Sequence, residues 1–577
     1  MTETTSAAPD ERPLAAWRAF VSTLSRRDMF DLGLYVAFSL AAAVAGSLAA
    51  VCLVPLLQPG PWPMRVGWLF LDAHGDTPTQ AGMFAAATVV FAVLRWLASN
   101  TGARLTASYG TELRRRVHAC LIHAPLASLA NVTSAEIANV LTYNTEIVVQ
   151  GFSALQQLLI AAFTATVSFG LVFWLSPSLM LAAPVLALFG LLAARLSGTE
   201  QARVSRAYVA DMTQLFWHSE DFPRRLRHVR SFEREDAEKT AYGEISRRLG
   251  DAYRRQLELV SSGRLVLELL AAAGVAGLFV LTSRGLGIAQ SSAVAVCLLL
   301  GRLLPYLVST RQSFQQLRSA APAFVLWRRY CALGAAARES AARPPSARGA
   351  LRIGEMRLAH PLAGLRVERL ALVPGELTVI QGDSGIGKSS LVDVLAGLVA
   401  PAYFRATIDG RSLAFEDYGA LARRGAYVSQ SARPWHAHVS ECLRWAAPQA
   451  DDETMHRALV AVGLGRRVLD DGAGLATALD DASSRFSGGE LQRLMLAQVL
   501  LRRPFLAVLD EAMGALDAAS ELELLSMLKR ELPQTILLVV SHRTGVVEGA
   551  DQCLNIGHDF VATVFRRPFP LPRAQEG

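Results

Sequence analysis

The sequence predicts a two-part chain: an all-α membrane-embedded half, then a soluble α/β domain built around a phosphate loop. Three observations carry this. Over 577 residues, 52% are hydrophobic and only 19% charged, with a mean hydropathy of +0.29, which is too apolar for an ordinary soluble chain and far from disorder. The long apolar runs lie ahead of about residue 332 and alternate with Arg-rich polar stretches. Beyond them, a Gly-rich loop ending in Lys-Ser stands between a short apolar strand and an apolar helix. The expected organisation is residues 1–31 as a cytoplasmic segment with an interfacial helix, 32–332 as the transmembrane domain, 333–350 as a linker and 351–577 as the soluble domain.

A bilayer-crossing helix needs about 20 predominantly apolar residues. Six candidates meet or approach this: Leu32 to Leu57, Gly82 to Ala98, Leu155 to Leu175, Leu179 to Leu196, Val266 to Leu281 and Ala293 to Val308. Residues 199–258 carry twelve Lys and Arg, and residues 104–144 add Arg114, Arg115 and Arg116; such stretches stay on the cytoplasmic side, so both termini lie inside. These two excursions read as long polar helices that project tens of ångströms. Before the first span, Leu14, Trp17, Phe20, Val21 and Leu24 recur at helical spacing beside Arg18, as on a helix lying in the inner leaflet. The net charge of +7 then belongs to membrane topology rather than to nucleic acid, which is not an expected partner. The six cysteines show no C-x-x-C pair, so neither a disulfide framework nor a zinc site is indicated.

Gly382, Asp383, Ser384, Gly385, Ile386, Gly387, Lys388 and Ser389 follow the strand Leu377 to Ile380, with Ser390 opening the helix behind them. Glycines let backbone N–H groups curl around phosphate oxygens, and the helix N-terminus adds partial positive charge. Lys388 is one of only three lysines in the chain; it suits β and γ phosphates, and the Ser389 hydroxyl suits Mg²⁺. A second apolar strand, Phe505 to Leu509, ends in Asp510 and Glu511, where Asp510 can hold Mg²⁺ and Glu511 can polarise an attacking water. Between the two lies Ser487, Gly488, Gly489 and Glu490, a second anion cradle at a helix start.

In this order the residues closely resemble the ATP-binding cassette (ABC) transporters, in the layout of an exporter half-transporter with six helices fused ahead of its nucleotide-binding domain. The resemblance implies an all-α six-helix transmembrane domain followed by an α/β P-loop NTPase, with ATP and Mg²⁺ as cofactors. Phe486 to Glu490 resembles the family signature, with Phe and Glu for the usual Leu and Gln. By position, Gln430 is similar to the Q-loop glutamine that senses Mg²⁺, Asp517 to the D-loop aspartate and His542 to the switch histidine at the γ-phosphate. His360 stands where an aromatic usually stacks on adenine. Ser134 to Asn144 and Phe222 to Phe232 resemble the two coupling segments. The resemblance further implies a second copy as partner, two cassettes closing on ATP, with a heterodimer as the other arrangement, and a location in the bacterial inner membrane.

For cargo, Arg302, Tyr306, Ser309, Ser313 and Gln316 form a polar stripe on the sixth span, and Gln157, Thr164 and Ser168 a thinner line on the third. Arg264 and Glu268 are spaced to pair on the fifth. Charges inside a membrane usually face a bundle interior or aqueous cavity. The expected function is therefore ATP-driven export of a small polar or amphipathic cargo, such as a mature microcin or lasso-type peptide. A lipid or lipid-linked glycan flippase is the alternative, and an ATP-gated channel or regulator the alternative of another class.

Overall fold

The computed structural model describes residues 20, 22–57, 77–129, 132–175, 200, 203–204, 207–208, 210–219, 222–283, 290–335, 349–359, 364–430, 432–469, 473–479 and 486–567. The chain divides into two compact units, Met1–Ala124 with Asn131–Ala336, and Pro125–Ala130 with Ala337–Gly577. The fourth candidate span, residues 179–196, lies outside the described residues, as do most of the expected linker, His360 and the N-terminal residues Leu14, Trp17 and Val21.

The first unit is helical: α1 (Arg26–Cys52), α2 (Thr77–His123), α3 (Thr145–Leu175), α4 (Phe222–Ser231), α5 (Glu235–Ser283) and α6 (Gln290–Ala335). Among the described residues, three helices are long and apolar enough to cross a membrane: Arg26–Cys52, Thr77–His123 and Ser134–Trp174. The fifth and sixth candidates lie within α5 and α6. At 1.5 Å per residue, the 47 residues of α2 and the 49 of α5 extend about 70 Å, so α2 carries a span and a polar strut as one rod, and α5 joins a polar strut to the fifth candidate span.

The first helix begins at Arg26, six positions ahead of the expected start. Hydropathy marks only the apolar stretch, whereas the boundary is set by a capping box: Ser25 Oγ accepts from the Asp28 N–H, and Asp28 returns the bond to the Ser25 N–H. Asp28 is only 3% exposed, and its other oxygen accepts from Ser108 on α2. The interfacial reading fails for Phe20. It is buried with Tyr109, Phe152 and Phe324 in a cluster that joins α1, α2, α3 and α6. Helical spacing shows that a stripe exists but not what covers it.

The first coupling segment folds as a short helix, Ser134–Asn139, capped by Thr133, and a π-helical turn, Val140–Asn144, that runs into α3. Asn144, where the family commonly has Asp, is buried and donates to the Ala323 carbonyl at 2.9 Å; an ionised Asp could not donate there. Phe222 to Phe232, expected as the second coupling segment, fold as α4 with Phe232 just beyond its end. The two polar lines of the third and sixth spans meet, since Ser313 donates to Gln157 at 3.2 Å, and Arg264 pairs with Glu268 at 2.7 Å as expected. Ser168 and Ser313 are fully buried, so part of each line joins helices instead of facing cargo.

The second unit contains one ten-stranded sheet: β1 (Leu351–Arg357), β2 (Arg366–Leu372), β3 (Leu377–Gln381), β4 (Tyr403–Ile408), β5 (Arg411–Leu413), β6 (Ala426–Ser429), β7 (Leu506–Asp510), β8 (Ile536–Val540), β9 (Gln552–Ile556) and β10 (Val561–Arg566), in the order β5-β4-β1-β2-β10-β9-β3-β8-β7-β6. The β9-β3-β8-β7-β6 half is parallel and buried on both faces. In β8, Leu537 and Val539 enter one core cluster while Ile536, Leu538 and Val540 enter the other, which is why this strand is apolar without interruption. Helices α7 (Lys388–Leu395), α8 (Gly488–Arg502) and α9 (Ala518–Glu531) bear on the site.

Asp551 anchors the start of β3. It accepts from the Leu377 N–H at 2.8 Å and pairs with Lys529 at 2.6 Å. Burial pushes its carboxyl up, but Lys529 and the Leu377 N–H outweigh this and hold it below the usual carboxylate range. A depressed carboxyl contributes stability that is present above the ordinary carboxylate range and lost as pH falls through the folded value. Asp551→Asn should therefore destabilise by about 1 kcal/mol near neutral pH. In thermal melts taken from pH 5 down to pH 2, its difference from wild type should hold at the upper end and shrink as pH falls below the ordinary carboxylate range of about 4.

Candidate nucleotide-binding site

The parallel half of the sheet places the sequence-predicted residues at adjacent carboxyl ends. β3 leads into Gly382, β8 into Ser541 and His542, β7 ends at Asp510 before Glu511, and β6 leads into Gln430. The rows are in register: Ser429 opposite Asp510, Asp510 opposite Val540, Val540 opposite Ile380. Residues more than 150 positions apart in the chain thus share one rim, where open α/β sheets bind their ligands.

The loop turns through left-handed backbone at Gly382, Gly385 and Gly387, with φ of 147°, 80° and 104°. Gly387 is the N-cap of α7, a position at which a side chain would strain the entry to the helix. Lys388 is 8% exposed, and its Nζ donates to the Gly382 and Asp383 carbonyls at 2.9 Å each. The ammonium is thereby held across the mouth of the loop. Ser389 and Ser390 occupy the first turn of α7.

Glu511 sits immediately beyond β7 with φ of 49°, a left-handed conformation unusual for a side-chain-bearing residue. Its Oε1 lies 3.8 Å from His542 Nε2. The loop bearing His542 is clamped on both sides: Ser541 donates to Glu521 at 3.3 Å, Arg543 forms an ion pair with Glu521 at 2.7 Å, and Arg543 donates to the Leu516 carbonyl. Glu521 is 4% exposed; burial raises its carboxyl above the usual value against the pull of Arg543 and Ser541.

Ser487 caps α8 in a second capping box, its N–H donating to Glu490 at 2.6 Å and its hydroxyl accepting from the Glu490 N–H. Glu490 in place of the usual Gln therefore serves the helix start, as well as facing Arg467 at 3.6 Å. A Cβ at Gly489 would come within 2.9 Å of Leu516, and Gln492 accepts from the Ala515 N–H at 3.0 Å, so this turn is packed onto the segment ahead of Asp517. Asp517 caps α9 through the Ser520 N–H, a bond that holds its carboxyl below the usual range.

Tyr427 was missed by the sequence reading. Its hydroxyl donates to Asp510 Oδ2 at 3.0 Å and also engages Asp393 on α7, and burial together with these two carboxylates pushes it far above an ordinary tyrosine. Asp393 is raised by burial and by Asp510 nearby, against the Tyr427 bond. Tyr427 stands on β6 only three residues ahead of Gln430, but nothing local points it at Asp510. His558, 3.1 Å from Asp383, was likewise unsignalled.

A helical unit with membrane-length helices, followed by a parallel-sheet domain with this rim, defines a membrane protein with a nucleotide-binding ATPase domain. The family model for the ABC transporter transmembrane region matches residues 70–299, and the model described as ABC transporter matches residues 365–514. The chain belongs to the ABC transporters, as a half-transporter of exporter architecture. It is 32% identical over 187 residues to an ATP-dependent lipid A-core flippase of Ralstonia nicotianae, covering 32% of each chain. It is 33% identical over 185 residues to a mycobactin import ATP-binding/permease protein of Mycobacterium bovis, again covering 32% of each. The aligned stretch thus spans about a third of these curated relatives. In fold, it matches a bacterial Atm1-family ABC exporter with ATP bound at a TM-score of 0.74 and 19% identity, over 93% of this chain and 94% of the other.

Gly385 has open space around a built Cβ, so Gly385→Ala tests backbone strain alone; at Gly382 a Cβ would also press on Ile386 and the Ile556 carbonyl. Fluorescent-nucleotide titration should show affinity falling about tenfold for Gly385→Ala, from roughly 1–2 kcal/mol of left-handed strain, and further for Gly382→Ala. Tyr427→Phe removes one hydrogen bond to Asp510. It should raise the Mg²⁺ concentration for half-maximal ATP turnover about fivefold while leaving thermal stability nearly unchanged.

Proposed function

We propose that the chain is an ATP-hydrolysing exporter, working as a pair of identical copies in the bacterial inner membrane and moving a small polar or amphipathic cargo outward by alternating access. The observation that carries this reading is the shared rim: the Lys388 loop, Asp510, the Glu511–His542 pair and Gln430 stand at neighbouring strand ends of a domain fused to membrane-length helices.

Lys388 releases its loop carbonyls to the β and γ phosphates, and the Gly382–Gly387 backbone supplies N–H donors around them. Ser389, Asp510 and Gln430 offer a hydroxyl, a carboxylate and an amide oxygen, hard donors that suit Mg²⁺ completed by phosphate oxygens. Bound there, Mg²⁺ offsets the charge that develops on the transferred phosphoryl group. Glu511 orients the attacking water and takes its proton, and His542 holds the γ-phosphate side. Ser487, Gly488 and Gly489 of a second copy close over the nucleotide. ATP then favours the closed pair because it binds that state more tightly, and hydrolysis removes the bias.

For cargo, the polar lines of α3 and α6 support a mature peptide of the microcin or lasso type. Similarity to the lipid A-core flippase supports a second reading, a lipid or lipid-linked glycan. In proteoliposomes, Glu511→Gln should bind ATP yet turn it over at least about a hundredfold more slowly, and Lys388→Ala should lose nucleotide binding. ATP-dependent accumulation of a labelled peptide or lipid against its gradient should disappear in both variants. Accumulation that survives in Glu511→Gln overturns the proposal.

A further inference from the structure

Within the first unit, α1, α2, α3 and α6 enclose a cavity of about 780 Å³. Its lining holds three guanidiniums, Arg95, Arg114 and Arg302, and one carboxylate, Glu146. Glu146 is already committed, 2.6 Å from Arg114. Among the described residues, Arg95 and Arg302 therefore give the cavity two positive charges without a carboxylate opposite them.

Arg302 is locked in place. A Cβ at position 46 would overlap its guanidinium, so Gly46 on α1 makes room for it, and its Cζ lies 4.6 Å from the centre of the Phe91 ring on α2. Arg95 flanks the same ring at 6.0 Å. A ring quadrupole attracts a cation but does not neutralise it. Among the described residues, buried Arg302 Nη1 has no hydrogen-bond partner, nor does Nε2 of Gln156, another lining residue whose oxygen is taken by Thr106. Each of these free groups is a donor. A buried charge left unpaired is costly, so Arg302, seated by a tailored glycine against a ring that the more exposed Arg95 also flanks, points to a counter-charge that comes from outside the chain.

We propose that this cavity recognises the anionic group of the cargo, a phosphate or carboxylate borne on an amphipathic molecule, with Arg302 and Arg95 as its counter-charges and Gln156 as a further donor. The inference rests on the transport reading above and narrows its substrate class. The apolar remainder of the lining, including Phe91, Ala42 and Ile160, suits the adjoining hydrocarbon of such a molecule.

The test uses the full chain in phosphatidylcholine nanodiscs without ATP and measures equilibrium binding of radiolabelled probes in charge-matched pairs. Dodecyl phosphate is compared with dodecyltrimethylammonium, and an apolar hexapeptide with a free carboxylate with its C-terminal amide. Wild type should bind the anionic member of at least one pair about tenfold more tightly than its counterpart. Tighter binding of dodecyl phosphate identifies a lipid-like source, and tighter binding of the peptide acid a peptide source. Arg302→Gln and Arg95→Gln should each erase that preference, Arg302→Lys should keep part of it, and basal ATP turnover should stay within about twofold, since both residues belong to the helical unit and not to the ATPase domain. If Arg302→Gln does not fold, Arg95→Gln carries the test. Affinity that ignores probe charge, or a preference that survives both Gln variants, overturns the anion site. Because binding is read without ATP, that result is separable from a failure of ATP turnover, which would strike the transport reading instead.

Discussion

Parallel pairing of β6, β7, β8 and β3 aligns four strand ends: Asp510 closes β7, and Gln430, Glu511, His542 and the start of the Gly382 loop are the next residue or two along the chain. Backbone hydrogen bonds therefore set the spacing among Gln430, Asp510, Glu511, His542 and the Gly382 loop before any side chain contributes. The two core clusters on either face hold this spacing by burying β7 and β8 from both sides. A shift of one residue in β8 would exchange its inward and outward side chains and carry His542 away from Glu511.

Around that rim, polar groups hold one another with little freedom left. Glu521 ties down the residues flanking His542, Tyr427 bridges Asp393 and Asp510, and Glu490 seats the start of α8. Preorganisation of this kind spends its cost at folding, so the groups need little rearrangement when charge develops between them. Glu511 in left-handed backbone belongs to the same pattern, a local strain that the surrounding bonds maintain.

The helical unit solves a different problem. Its side chains must satisfy polar atoms where water is scarce, and most do so in pairs: Ser313 with Gln157, Asn144 with the Ala323 carbonyl, Asp28 with Ser25 and Ser108. Against that background Arg302 and Arg95 stand out because, among the described residues, a ring and not a carboxylate lies against their charge.

Much of this was legible from residue order. The phosphate loop, the acidic strand end and the apolar runs are local patterns, written in neighbours that interact through their own backbone and through hydropathy, and the strands matching them begin and end within a residue of expectation. Helix starts were less legible, because a capping box such as Ser25–Asp28 lies outside the apolar window. The burial of Phe20, the bond from Tyr427 to Asp510, the meeting of two polar lines and the cavity around Arg302 were not legible at all. Each joins residues from tens to hundreds of positions apart. Periodicity says which face of an element is apolar or polar; the partner opposite that face is chosen by strand pairing and helix packing, which no local pattern encodes.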